Sequence, residues 1–402
     1  MAITFASATI PSVFAQDATG QEEIYKRFLD NRKGPSDEKL KVAIAAGEEY
    51  LQKFGADPLN KEIVDYINKQ LPVLKKVVAD NTVVARFNQS VPAKNWDEAF
   101  SAGKEILAKN PDNVDVMLIL ASIGFDNAVA TPPVDKYNAD AVAIAKNAIQ
   151  KINEGKTSVG GNYGAFGKYE YKTDKFADGK SNALGWMNYT VGYIMYNRQN
   201  MKKEALPFLY KATQANSGTK SIAEIYRSIG AWYLDEFNRI GLERKAKIEA
   251  NNNEDNDETK TLLALQMGYT ERAIDAYSRA SKIANANPDA AKEYKDGLLS
   301  RIKELYAIRF EGKTDGLDAY TATLTAKPFP DPTTPVTPVV EKTTTAATSP
   351  TAVTIATPAA KPSTSVTAPS VKPAVSTTPV TAPAKTTKTP AKKPVTKKKG
   401  TR

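Results

Sequence analysis

Along residues 20–326, apolar positions recur at intervals of three and four with polar positions between them. That is the period of a helix with one buried stripe. The clearest instance is Asn95–Pro111. Ala99, Gly103, Ile106 and Leu107 fall on one face, and Asp97, Glu98, Lys104 and Glu105 occupy the others. Ala99 and Gly103 are small and lie one turn apart, so a neighbouring helix can come close there. Pro111 has no amide hydrogen to give and ends the helix. A second apolar helix, about 113–124, begins at once. Helix, tight turn, helix is the unit the pattern predicts.

Further helices are predicted over 21–31, 36–54, 60–76, 138–153, 181–196, 201–215, 261–285, 289–309 and 314–326. Pro72 is expected to kink or cut the third of these. Ser221 and Glu224 have capping-box spacing at the start of a helix carrying Ile225, Ile229, Trp232, Leu234 and Phe237. The polar stretch 243–260 reads as an extended, solvated insertion. Residues 154–180 are rich in glycine, aromatics and lysine without a helical period. Within them KYEYKT, residues 168–173, alternates as a short hairpin strand does. The fold class expected is all-α.

Several helix pairs carry a second regularity. Tyr226, Ile229, Gly230 and Tyr233 follow one another at the spacing W-x2-L-G-x2-Y. Ala273, Tyr277 and Ala280 follow the spacing A-x3-F, with Pro288 beyond them. Tyr189, Gly192, Tyr193 and Tyr196, then Ala205, Leu209 and Ala212, form another pair. Ala99, Gly103 and Pro111 lead to Met117, Leu120 and Ala121 in a weaker one. This pattern resembles tetratricopeptide repeats, in a degenerate and insertion-bearing form. The resemblance implies a right-handed α-solenoid of antiparallel helix hairpins over 91–326, behind an N-terminal helical region over 20–90. It also implies a groove, lined by the first helix of each pair, that receives a partner protein or peptide. On those helices Asn188, Asn197, Arg198, Arg227 and Asp235 are the expected contacts.

Aromatic residues concentrate at Tyr163, Phe166, Tyr169 and Tyr171, with Trp186 nearby. One reading is a stacking site for a carbohydrate or peptide in 162–186. The other is a lid whose rings pack against the helices. The glycines at 160–164 lack the lysine and hydroxyl residue that close a phosphate-binding loop. The carboxylates at 254–258 lack the spacing and central glycine of a calcium loop. No cofactor or metal is expected. The chain has no cysteine and no histidine. Thiol catalysis, serine–histidine–aspartate chemistry and the usual zinc sites are therefore excluded, and no enzymatic constellation replaces them.

Composition changes at Lys327. From there to the end the chain is mostly Pro, Thr, Ala, Val and Lys, with Phe329 the one large side chain. Such a segment, 327–402, is expected to be disordered. Its part from 331 to 402 carries +9 of the +10 net charge. Its end, with Lys392, Lys393, Lys397, Lys398, Lys399 and Arg402, suits a polyanion: an anionic envelope polymer if the protein is exported, nucleic acid if it is cytoplasmic. Residues 1–16 read as a truncated signal peptide or a disordered N-terminus, with Val13-Phe14-Ala15 before Gln16 as the cleavage motif. That favours a periplasmic or secreted location. No stretch is long and apolar enough to span a bilayer. The expected function is a non-enzymatic interaction scaffold tethered by its tail. The alternatives are a nucleic-acid-associated protein acting through the tail, and a carbohydrate or peptide binder using the aromatic loop.

Overall fold

The computed structural model describes residues 13–34, 36–156, 175 and 178–339. Among them every regular element is helical: twelve α-helices and two short 3-10 turns. The predicted hairpin strand at 168–173 lies outside the described residues. The chain divides into two compact units, one ending at Ser90 and the next beginning at Val91.

The first unit comprises α1 (Val13–Asn31), α2 (Asp37–Phe54) and α3 (Lys61–Ser90). Val13-Phe14-Ala15 opens α1, and residues 1–12 lie outside the described part. Ser36 caps α2 by accepting from the Lys39 amide at 3.4 Å. Phe28, Ala43, Ala46, Tyr50 and Ile67 are fully buried between the three helices. Pro72 does not cut α3 in two; the helix runs 30 residues through it. Pro72 and Asn68, whose carbonyl loses its helical donor, are both exposed, so solvent can satisfy that carbonyl. Leu71 and Leu74 on either side are buried and hold the helix down.

The second unit begins with α4 (Trp96–Lys109) and α5 (Val114–Val129). It continues with α6 (Asn138–Asn153), α7 (Gly179–Asn197) and α8 (Lys202–Gln214). Asn95 and Asn113 cap α4 and α5 through their side chains, and the chain turns at Pro111 as predicted. Then follow α9 (Ala223–Ala250), α10 (Asp257–Ala286), α11 (Lys292–Arg309) and α12 (Leu317–Thr325). Within this unit successive helices from α4 to α11 pack on one another, as helix pairs do. One apolar cluster runs through α5 to α12.

Glycines set the closest approaches within three pairs. Gly124 of α5 lies against Ala141 of α6. A Cβ at Gly192 of α7 would stand 2.6 Å from Leu209 Cδ2 of α8. A Cβ at Gly230 of α9 would stand 3.0 Å from the Tyr277 ring of α10. Each first helix thus contributes a glycine where its partner crosses.

Two expectations about α9 and α10 are corrected. Residues 243–260 are not an extended insertion. They lengthen both helices, leaving a turn at 251–256. Arg244 is 6% exposed; its Nε donates to the Thr259 carbonyl at 3.1 Å and its NH2 to both Asp255 oxygens at 2.8 and 2.9 Å. Asn252 and Asn253 take positive φ of 55° and 67°, where asparagine is tolerated. The predicted capping box at Ser221 and Glu224 does not form. Ser221 ends a 3-10 turn, and Ile222, with no side-chain acceptor, stands at the start of α9. The capping box forms at α10 instead, where Asn256 and Thr259 satisfy each other's amides at 3.0 and 2.8 Å.

Candidate functional site: a groove holding the chain's own proline-rich segment

The residues expected to meet a partner are engaged within the helical body. Asn188 is 5% exposed and donates to the Leu184 carbonyl of its own helix at 2.8 Å. Asn197 is half-buried and donates to the Tyr193 carbonyl at 3.2 Å. Arg198 grips Asp135 with two parallel hydrogen bonds of 2.7 and 2.6 Å, tying the end of α7 to the loop before α6. Lys202 of α8 reaches Asp235 of α9 at 2.6 Å. Arg227 donates to both oxygens of Glu224 at 2.6 and 2.5 Å, and Tyr294 of α11 adds a 3.4 Å bond to the same carboxylate. Burial by itself would lower the Arg227 guanidinium, but the adjacent Glu224 carboxylate outweighs it and holds the arginine above its ordinary value. Of the five expected residues, Arg198 and Asp235 tie their helices to other elements, whereas Asn188, Asn197 and Arg227 bond within their own helices.

Trp186 is 8% exposed and packs on Phe125 of α5 and Tyr189 of α7, with ring centroids 6.4 and 6.1 Å apart. It is a member of the apolar cluster. Tyr163, Phe166, Tyr169 and Tyr171 lie outside the described residues, as do Lys392, Lys393, Lys397, Lys398, Lys399 and Arg402. Among the described residues no cluster of three or more carboxylates is placed to hold a metal ion. No helix among them is long and apolar enough to cross a membrane.

The largest departure from expectation begins at Lys327. Composition predicts that the chain leaves the body there. Instead it lies against the body as far as Val339, running back along α10. Phe329 is 7% exposed and anchors the segment. Its ring centroid is 6.2 Å from Tyr210 of α8 and 5.2 Å from Tyr226 of α9, and the Arg279 guanidinium of α10 stands 5.1 Å over it. Three helices therefore meet at this one ring. Burying a phenylalanine contributes about 1.5–3 kcal/mol, enough to offset the ordering of one or two residues. A guanidinium over the face adds about 0.5–2 kcal/mol.

The polar contacts of the seat are made to main chain. The Tyr210 hydroxyl donates to the Phe329 carbonyl at 3.3 Å. Arg279 donates to the carbonyls of Leu324 and Lys327 at 3.2 and 2.7 Å. Asp275 is 4% exposed and orients Arg279 through a 2.7 Å bond. Burial pushes the Asp275 carboxyl up, with Arg279 opposing. Beyond the anchor, Asp331 accepts from the amide and hydroxyl of Thr333 at 2.8 and 2.7 Å, which turns the chain. Val336 is buried against Gly268 of α10, where a Cβ would stand 2.9 Å from its Cγ1. The Val339 amide then donates to the Ala264 carbonyl at 2.8 Å.

Five of the thirteen residues from Lys327 to Val339 are proline. Proline removes amide donors for which a helical surface has few acceptors, and it favours an extended backbone. The signal was visible in the sequence as a single phenylalanine between two prolines, in a segment otherwise without large side chains. No family model, no curated protein and no solved structure matches this chain.

Proposed function

We propose that the protein is a non-enzymatic scaffold that binds extended polypeptide on its helical body. This is the role implied by the resemblance to tetratricopeptide repeats and their right-handed stack of hairpins. The observation that supports the reading best is the seating of Lys327–Val339. Helices α8, α9 and α10 hold a proline-rich strand by one ring and two main-chain carbonyls, and Arg279 adds a bond to the Leu324 carbonyl at the end of α12. A surface built this way suits polypeptide more than a small metabolite, because its donors address a feature every peptide repeats. In this reading the basic end of the tail tethers the protein to an anionic polymer of the envelope, and the protein acts outside the cytoplasm.

A peptide-display selection against the immobilised full chain tests the binding role. Enriched sequences are expected to be extended and proline-containing, and to protect amides of the helical body from hydrogen exchange. Selections that enrich nothing above the level of an unrelated helical protein would contradict the proposal.

A further inference from the structure

We propose that the groove between α8, α9 and α10 is a recognition site for a proline-flanked phenylalanine on an extended segment. Residues 327–339 are its occupant in cis, and a second segment of the same kind displaces them. The inference rests on the polypeptide-binding reading above and names the partner class and its control.

Three observations carry it. First, the groove discriminates by one side chain. Phe329 is seated between Tyr210, Tyr226 and Arg279, whereas the hydrogen bonds from Tyr210 and Arg279 go to carbonyls. A partner must bring a ring of this size and an extended backbone, with a small apolar side chain such as Val336 further along. Second, the prolines at 328 and 330 flank that ring, so the backbone on both sides is extended and offers no amide to be left unsatisfied. A flexible peptide without them would lose more freedom on binding. Third, the segment follows a short helix that is held through partly buried side chains, Leu317, Tyr320 and Leu324. The preceding helix, α12, has no fully buried residue, and Gly316 with φ 82° begins it. The strand therefore sits as a tethered ligand on a short leash, with Phe329 and Val336 completing the apolar cluster. A tethered occupant competes at an effective concentration on the order of millimolar, so the wild-type groove is closed to weaker partners.

The test is fluorescence anisotropy with a labelled synthetic peptide of residues 327–339, titrated with the full chain. The wild-type protein is expected to bind it only near millimolar concentration. The Phe329→Ala chain, which keeps its groove but loses its own anchor, is expected to bind at least about tenfold more tightly. A peptide with alanine in place of its phenylalanine is expected not to bind either chain. Adding Arg279→Ala to Phe329→Ala is expected to abolish the gain.

Wild-type dimers that vanish in Phe329→Ala would also count in favour, with a second copy as donor of the segment. A Phe329→Ala chain that melts as a folded protein yet binds the peptide no better than wild type would overturn the proposal. Where Phe329→Ala fails to fold, a protease site inserted between Ala326 and Lys327 of the full chain replaces it. After cleavage the segment is expected to exchange with labelled peptide, and a segment that never exchanges overturns the inference. If display selections succeed elsewhere on the body while both arms fail, the scaffold role stands and only this site falls. If selections and both arms fail together, the scaffold role falls too.

Discussion

Gly230 and Tyr277 face each other across the α9–α10 pair, so near that a Cβ on the glycine would lie 3.0 Å from the ring. Gly192 meets Leu209 across α7–α8 more tightly, at 2.6 Å from a side-chain carbon and 3.0 Å from the Leu209 backbone nitrogen. A ring can shift by a few tenths of an ångström, but a helix backbone resists. Gly192→Ala is therefore expected to cost about 1–3 kcal/mol, and Gly230→Ala less. Gly297 of α11 has nothing within 4 Å, so Gly297→Ala should stabilise by up to about 1 kcal/mol through helix propensity. Urea denaturation of the three variants orders them, and equal effects would contradict close nesting at Gly192.

Arg244 is the fastening of the α9–α10 turn. Replacing it with alanine leaves the Thr259 carbonyl and Asp255 without their donor. The expected loss is about 1.5–3 kcal/mol, the scale of hydrogen bonds to a charged group. Hydrogen exchange should show the loss concentrated at 244–260. A uniform loss across the second unit would contradict a local fastening.

Glu224 and Arg227 are nearly enclosed, with side chains 10% and 12% exposed. Removing one leaves the other buried without its counter-charge, so Glu224→Leu alone is expected to cost about 3–5 kcal/mol. Replacing both, Glu224→Leu with Arg227→Met, is expected to recover most of that. A double-mutant cycle by urea denaturation reads the difference directly. Additive single effects would show that the pair does not act as a unit.

The Asp135–Arg198 bridge predicts a pH dependence. The Arg198 guanidinium beside Asp135 holds its carboxyl below the usual value, against a small opposing effect of burial. A depressed folded-state carboxyl stabilises above the unfolded value of about 4, and that stability is lost as pH falls through the native value. Asp135→Asn is expected to cost about 0.2–1 kcal/mol at pH 7, since the aspartate is half-exposed. The gap between variant and wild type should close below about pH 4. A gap that persists at pH 2 would assign the effect to something other than this charge.

The helices were legible because burial writes itself as a period. Ala99, Gly103, Ile106 and Leu107 mark one stripe, and α4 buries the first three of them. The tetratricopeptide-like spacing also marks Gly192 and Gly230, which lie against Leu209 and Tyr277. What failed was reasoning from average composition. Residues 243–260 look solvated as a block, yet one arginine in that block is buried and fastens two long helices. Their length is also what separates Gly230 and Tyr277 in sequence while leaving them paired in space. Pro- and Thr-rich composition likewise hid Phe329, because a mean over the tail cannot register one anchored ring. The expected contact residues are polar positions on or beside first helices. Arg198 and Asp235 have their partners 63 and 33 residues away, at distances in sequence that no local pattern reports.

The most direct test places a fluorine on the ring of Phe329 in the full chain and follows its resonance by NMR. A seated ring should give a shifted, broadened signal. Excess unlabelled peptide of residues 327–339 should convert that signal to the sharp one of a free side chain. A free signal from the outset, or a seated one that no excess of peptide displaces, would contradict a groove that exchanges polypeptide.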